Sequence, residues 1–227
     1  MRTSAACWND GLQMKSLLIW DLDGTLVDSR TDIANAANQA LTAIGRPAMP
    51  HAIITGFIGD GIGILIERLT PGGDEPERAR CRTAFEAAYA ANCCTATAPY
   101  PGIHETLTAL RAAGWMQAIA TNKALAYTTP ILAHCGLAGF FAAVRGGDGR
   151  RKPDPWQLQD LARELDADLS RSWMIGDHHT DIHAAHAAGC RVLFCRWGLG
   201  QRDGLPVDAE AVAPATVPQL IATFPGV

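Results

Sequence analysis

This 227-residue chain has seven cysteines (positions 7, 81, 93, 94, 135, 190 and 195), an odd number with no Cys-x-x-Cys spacing. That argues against a secreted disulfide framework and against a structural zinc site. Reduced, buried thiols account for them, the adjacent Cys93 and Cys94 included. No stretch approaches the roughly 18 apolar residues of a membrane-spanning helix. Residues 1–14 lack the apolar centre of a secretory signal; they are expected to form a loose arm or to precede a start at Met14. Basic clusters are missing too. With 19 Lys and Arg against 23 Asp and Glu, the net charge is −4, a balance that argues against nucleic acid or an anionic membrane as partner. No internal repeat or low-complexity segment is present, and no strand pattern falls between about 30 and 98. The chain is expected in the cytoplasm, with small molecules as its partners. Oligomeric state is not legible.

What is present fits a globular protein with a sizeable core: 48% apolar and 19% charged residues, with mean hydropathy near zero. Leu17–Trp20 reads as a short buried strand. Helices are expected over Thr31–Ile44, Ile62–Leu69 and Glu77–Asn92, a wholly helical block ending in the stiff Pro99-Tyr100-Pro101-Gly102. From Gly102 onward the rhythm changes. Apolar strands (Trp115–Ala120, Phe140–Val144, Trp173–Ile175, Arg191–Cys195) alternate with Gly-terminated helices, including one with Pro130 early in it, then Trp156–Leu165 and His179–Ala188. That alternation predicts βαβ units, hence a doubly wound parallel α/β core of five strands with the helical block inserted after the first. The tail after about Gly198 is interrupted by proline and weakly patterned. The predicted division is a core of 15–29 and 101–227 and a helical insert of 30–100.

The most informative string is Asp21-Leu22-Asp23-Gly24-Thr25-Leu26-Val27-Asp28. Two carboxylates two residues apart at a strand end point to the same side, and Gly24 allows a sharp turn close to a ligand. Like charges this close resist joint ionisation unless a cation or a shared proton relieves them. In doubly wound sheets ligands bind at the carboxyl ends of the strands. There the chain also places Thr121-Asn122-Lys123, expected at a helix start and so able to take an anion. Lys152 follows, then Asp177 after Gly176, with Asp181 one helical turn later. Each residue alone has an ordinary explanation: a helix cap, a surface lysine, a turn. Together, in order at successive strand ends, they have the makings of a magnesium–phosphate site, since Mg²⁺ takes one or two carboxylates plus substrate phosphate.

The strings DLDGTLVDS, TN, KPDP and GDHHTD, spread over Asp21–Asp181, resemble the four motifs of the haloacid dehalogenase superfamily of aspartyl-phosphate enzymes. The resemblance covers essentially the whole chain after Lys15, and the helical insert is similar to the small-cap subtype. GFIGDGIGILIERL, PYPGI, ATNKA and RGGDGRRKPDP look most like phosphoglycolate phosphatases. The resemblance implies Asp21 as nucleophile and Asp23 as general acid/base. Thr121, the Asn122 backbone and Lys152 would bind the phosphoryl group. Mg²⁺ would be held by the Asp21 carboxylate, the Asp23 carbonyl and Asp177, with Asp181 in support. It implies a Mg²⁺-dependent phosphomonoester hydrolase, with 2-phosphoglycolate the first substrate to test. Asp23 favours phosphatase or phosphomutase chemistry over dehalogenation, which releases no alkoxide needing a proton.

Other readings are a phosphatase for another small phosphorylated metabolite or pyrophosphate, a sugar phosphomutase, and a binding protein with a relic site. Two features depart from the family pattern. His178 stands where a small hydroxyl is usual, able either to reach a substrate carboxylate or to turn away, and Arg196-Trp197-Gly198-Leu199-Gly200 is an unexpected loop. His179, His183 and His186 follow at helical spacing, as an exposed polar face or a second metal site. Substrate choice is expected around Gly59-Asp60-Gly61 and Arg68. Cap closure is expected about Asp28–Arg30 and Pro99–Gly102.

Overall fold

A computed structural model describes residues 15–224; the expected N-terminal arm, 1–14, lies outside the described residues. Strand β1 (Leu17–Trp20) is buried along its whole length, as a strand covered on both faces must be. After it come a two-residue strand β2 (Val27–Asp28) and four helices: α1 (Arg30–Ala43), α2 (His51–Thr55), α3 (Ile62–Leu69) and α4 (Glu75–Asn92). The chain returns through β3 (Ala98–Pro99). Next are α5 (Ile103–Ala112), β4 (Met116–Ala120), α6 (Leu125–His134), β5 (Ala143–Arg145) and α7 (Trp156–Leu165). It ends with β6 (Trp173–Gly176), α8 (His179–Ala188), β7 (Arg191–Cys195), β8 (Ala209–Ala211) and α9 (Val217–Ala222).

Six strands form one parallel sheet in the order β5-β4-β1-β6-β7-β8. The strand that carries the acidic motif is therefore central, with Trp20 opposite Ile119 on one side and Ile175 on the other. Side-chain alternation divides the core between the two faces. Leu17, Ile19, Met174 and Val192 pack with Leu158 and Leu161 of α7 and Ile182 of α8. Leu18, Trp20, Ile119 and Trp173 pack with Leu107 of α5, Ile131 of α6 and Ile221 of α9. The second cluster runs on without a break into the helical insert, through Ile33, Leu41, Leu69, Phe85 and Tyr89.

The insert leaves and rejoins the sheet at one place. β2 and β3 pair antiparallel, Val27 with Pro99 and Asp28 with Ala98. Just inside the crossing, the buried carboxylate of Asp32 in α1 accepts hydrogen bonds from the Ala96 amide (2.9 Å), the Thr97 amide (2.8 Å) and the Thr97 hydroxyl (2.8 Å).

The structure corrects several expected elements. α4 starts at Glu75 rather than Glu77, because Asp74 accepts from the Glu77 amide and Pro76 suits a first turn. Pro130 sits in the middle of α6, not early in it. The expected strand Phe140–Val144 is instead a 3₁₀ turn, Ala138–Phe140, followed by β5. Phe140 and Phe141 pack at the rim of the core rather than in the ladder. The strand extends to charged Arg145 because Asp160 and Glu164 of α7 receive its guanidinium. A sixth strand, β8, lies in the weakly patterned tail as an edge strand beside β7. Short α2 was also not expected. All six described cysteines are free, and among the described residues no helix is long and apolar enough to cross a membrane.

Replacing Asp32 by Ala leaves buried donors unmatched, which typically costs about 2–4 kcal/mol in total. The urea midpoint of Asp32→Ala should fall accordingly at unchanged slope, with Asp32→Asn, which keeps one acceptor oxygen, in between. A wild-type midpoint for Asp32→Ala would show that this carboxylate does not fix the crossing.

Candidate active site

β1 delivers Asp21 immediately beyond its last residue, and the Asp21 amide still donates to the Ile175 carbonyl of β6 (2.9 Å). The chain then turns tightly, with Leu26 and Val27 amides donating to the Leu22 carbonyl. Gly24 has φ +84°, and a Cβ there would collide with the Asp177 carboxylate. The motif's glycine thus answers two demands, a left-handed backbone and a neighbouring carboxylate. Both Asp21 and Asp23 line the same cavity, as expected, though the turn and not strand alternation brings them there.

The two acids have separate cations. Asp21 Oδ1 lies 2.9 Å from Lys152 Nζ, which also donates to Asp181 Oδ1 at 2.6 Å. Asp23 Oδ1 lies 3.0 Å from Lys123 Nζ and accepts from the Ser29 hydroxyl at 2.5 Å. Lys152 comes from the segment between β5 and α7 and is only 3% exposed. Burial disfavours its charge, but Asp181 and Asp21 outweigh that and hold its pKa above the usual lysine value. Lys123 behaves alike: against burial, Asp23 and Tyr89 raise it.

Asp177 follows β6 and is held from three directions. Its Oδ1 accepts from the Thr25 hydroxyl (2.7 Å), and its Oδ2 from the Leu199 and Gly200 amides (2.8 Å each). The unexpected loop after β7 therefore serves as the cradle of Asp177, anchored by Trp197 Nε1 on the Thr25 carbonyl (3.0 Å). Asp181 sits in the first turn of α8, where its second oxygen takes the His178 amide (3.0 Å) in a capping box.

Asp21, Asp177 and Asp181 offer carboxylate oxygens within 4.8 Å of one another, all buried. Among the described residues one ammonium, that of Lys152, pairs with them, reaching Asp21 and Asp181. Burial pushes Asp21 up to about 6, with Lys152 opposing and Asp181 adding to the rise. Asp177 is pushed up to about 7 by burial, then by Asp21 and Asp181. Three anions against one cation leave a formal excess of two negative charges. Hard oxygen donors with that excess suit a divalent cation such as Mg²⁺, so the residues fit the metal that the motifs imply.

Thr121 and Asn122 follow β4 as expected, but not at a helix start. α6 begins at Leu125, whose amide is taken by Asp148 (2.8 Å), and the Lys123 amide donates to the Thr121 hydroxyl (3.2 Å). The amides of Leu125 and Lys123 are thus already engaged within the protein. The Asn122 side-chain amide donates to the Gly59 carbonyl of the insert and to the Lys152 carbonyl, both at 2.9 Å. One side chain joins three segments.

A cavity of about 300 Å³ lies between insert and core, above Asp21, Asp23 and Thr121. Phe57, Ile62, Leu65 and Phe85 of the insert and Tyr127 of α6 make its walls apolar. Gly59 and Gly61 line it as expected. Asp60 and Arg68 do not: they pair with each other at 2.7 Å. His178 turns away from the cavity, its ring against Gly59 and Gly200 and its Nδ1 beside the Thr180 hydroxyl (3.0 Å). Burial lowers its pKa to about 4. His179 stands between Asp60 (3.6 Å) and Asp203 (3.3 Å), whereas His183 and His186 are exposed. Asp60, His178 and His179 can bring ligand atoms within 4.8 Å; His183 and His186 do not join them.

From the sequence, Lys123 is grouped with Thr121 and Asn122 as an anion site but its side chain has no role of its own, and Tyr89 has none. The only signal for Lys123 was its place directly after Thr121-Asn122 at a strand end. For Tyr89, on a long alanine-rich helix, there was none.

The model of haloacid dehalogenase-like hydrolases matches residues 18–195. A phosphoglycolate phosphatase of Nitrosospira multiformis is 36% identical over 212 residues, covering 90% of this chain and 93% of the relative. One from Cereibacter sphaeroides is 40% identical over 180 residues, covering 77% and 82%. The crystal structure of a predicted phosphoglycolate phosphatase from Haemophilus somnus 129pt superposes with a TM-score of 0.84 at 29% identity, covering 92% of this chain and 99% of that one. Matching motifs, matching sheet and matching length lead to one conclusion: the chain belongs to the haloacid dehalogenase-like hydrolase family.

Proposed function

We propose that this chain is a Mg²⁺-dependent phosphomonoester hydrolase that works through an aspartyl-phosphate on Asp21, with 2-phosphoglycolate as its substrate. The observation that carries the reading is the division of two neighbouring acids between two lysines over one cavity. Asp21 belongs to Lys152 and the carboxylate cluster, Asp23 to Lys123. Chemistry that needs a nucleophile and a separate proton carrier needs two carboxylates in different surroundings. The names of the relatives supply the substrate, and the absence of long apolar helices among the described residues accords with a cytoplasmic enzyme.

In the first step an Asp21 oxygen attacks phosphorus, the P–O bond to the leaving group breaks, and Asp23 gives its proton to the departing alkoxide. In the second, water attacks the phosphorus of the aspartyl-phosphate while Asp23 takes a proton from it. Inorganic phosphate leaves and the Asp21 carboxylate is regenerated. The Thr121 hydroxyl, the Asn122 backbone amide and Lys152 bind the phosphoryl oxygens. Asp181 positions Lys152. Asp21, the Asp23 carbonyl and Asp177 would hold Mg²⁺, which supplies positive charge against the phosphoryl group. Residues 15–29 and 101–227 act as the catalytic core, and 30–100 as a cap that closes over the cavity and excludes bulk water.

Asp21→Asn should abolish hydrolysis of 2-phosphoglycolate and labelling by phosphate mimics such as beryllium fluoride; retained turnover would remove Asp21 as nucleophile. Asp23→Asn should lower kcat by about 10²–10⁴-fold, and near wild-type rates would remove it as acid. EDTA should silence the enzyme and Mg²⁺ restore it.

The carboxylate cluster also carries a stability signature. Because Asp21 and Asp177 bind protons more tightly folded than unfolded, their contribution is fully present below about pH 4, their unfolded range, and is lost as pH rises through 6 to 7. The metal-free midpoint should therefore be lower at pH 8 than at pH 5 by at least about 3 °C, and Mg²⁺ should recover more of it at pH 8. A midpoint indifferent to Mg²⁺ at pH 8 would count against a metal at these carboxylates.

A further inference from the structure

We infer that Lys123, backed by Tyr89, is a specificity-determining residue that binds a second anionic group on the substrate, one carried on the carbon that bears the ester oxygen. This rests on the phosphatase reading above and names the substrate class of the same site: phosphate monoesters of small hydroxy acids.

Charge on the cavity wall leads there. Among the described residues that line the cavity, Lys123 is the one Lys, Arg or His, and the other three charged residues, Asp21, Asp23 and Glu86, are acidic. The remaining walls are largely apolar, so a carboxylate on the leaving group would have no other cation to meet and would suffer the cost of an unpaired buried charge. The other nearby cations are engaged or outside. Lys152 is shared by Asp21 and Asp181 and its remaining N–H is needed by the phosphoryl group, and Arg68 is on Asp60. Lys123 gives one N–H to Asp23 and one to Tyr89 and keeps the third for a ligand. Arg151 lies against Gly61 at the rim but is exposed and does not line the cavity.

Distance points the same way. A general acid must come within about 2.6–3.2 Å of the oxygen it protonates, and Lys123 Nζ is 3.0 Å from Asp23 Oδ1. Hence an anionic group attached one carbon beyond the ester oxygen falls within reach of Lys123. Tyr89 of α4 fixes the ammonium from the insert side. Its hydroxyl accepts from Nζ, and its ring lies beneath the charge with the centroid 4.5 Å away. The Lys123 side chain is only 6% exposed, so the charge is desolvated and pre-positioned, the condition under which a charge-assisted bond discriminates strongly. Because Tyr89 belongs to the insert and Lys123 to the core, the subsite is complete only when the two meet.

The test compares 2-phosphoglycolate with its neutral amide, 2-phosphoglycolamide, on the intact enzyme with Mg²⁺. Loss of one bond to a charged group should make wild-type kcat/KM about 10- to 100-fold higher for the acid. In Lys123→Met that ratio should fall to within about threefold of unity, while Lys123→Arg keeps part of it. Near-ultraviolet circular dichroism checks the fold of each variant, and the wild-type ratio needs no variant at all. Equal turnover of acid and amide by wild type overturns the inference and leaves the phosphatase reading standing. So does a Lys123→Met that slows both substrates alike, which would make Lys123 a support for Asp23 only, and so does a preference lost in Arg151→Ala instead. Failure of wild type on both compounds and on p-nitrophenyl phosphate would overturn the phosphatase reading, and this inference with it.

Discussion

One ammonium among three buried carboxylates is the constraint around which the site is built. Lys152 can neutralise only one of Asp21, Asp177 and Asp181, and it divides itself between two of them. Such a cluster survives in a protein interior only if every oxygen has a donor and the remaining charge has an answer. The segments after β1, β6 and β7 provide donors beside Lys152. Thr25 in the acidic motif, the Leu199 and Gly200 amides after β7, and the His178 amide at the head of α8 all donate into the cluster. The glycines nearby follow from the same crowding, since a side chain at position 24 would occupy the space of the Asp177 carboxylate.

A second, smaller balance governs how the helical insert meets the core. Asp23 and Lys123 form a single buried pair, and Tyr89 extends it into α4. Asn122 adds a bond from the core to the Gly59 carbonyl. These polar contacts flank a cavity whose walls are otherwise apolar, so the interface between insert and core is specified by direction as well as by burial. The acidic floor of the cavity and the insert above it are thus linked through two consecutive residues, 122 and 123.

Much of this was legible in the chain. The continuous apolar run Leu17–Trp20 read as a short buried strand, and the acids following it therefore fell at the sheet's carboxyl edge. The regular alternation beyond Gly102 fixed the class of fold. Less legible were elements whose stability comes from tertiary partners. β5 ends on an arginine because α7 supplies its counter-ions, and β8 is three residues long because only β7 supports it. In the site, Asp21, Asp23, Lys152 and Asp177 drew attention because they recur in order at successive strand ends, although each alone has an ordinary explanation. Tyr89 did not, since an aromatic on a helix normally means core. His178 drew notice as an anomaly, and it proves to be a helix cap packed against a glycine.

The narrow crossing formed by β2, β3 and Asp32 also bears on how the chain reaches this state. β1 must pair with β4 across an intervening stretch of about 95 residues, and closing a flexible loop costs entropy that grows with the logarithm of its length. Asp32 gathers the two ends of the insert with three donors, and the two-residue ribbon pins them side by side. Once the insert's helices have packed and that carboxylate is satisfied, the long closure becomes a short one. Nucleation of the central sheet then resembles that of a chain from which the insert had been excised.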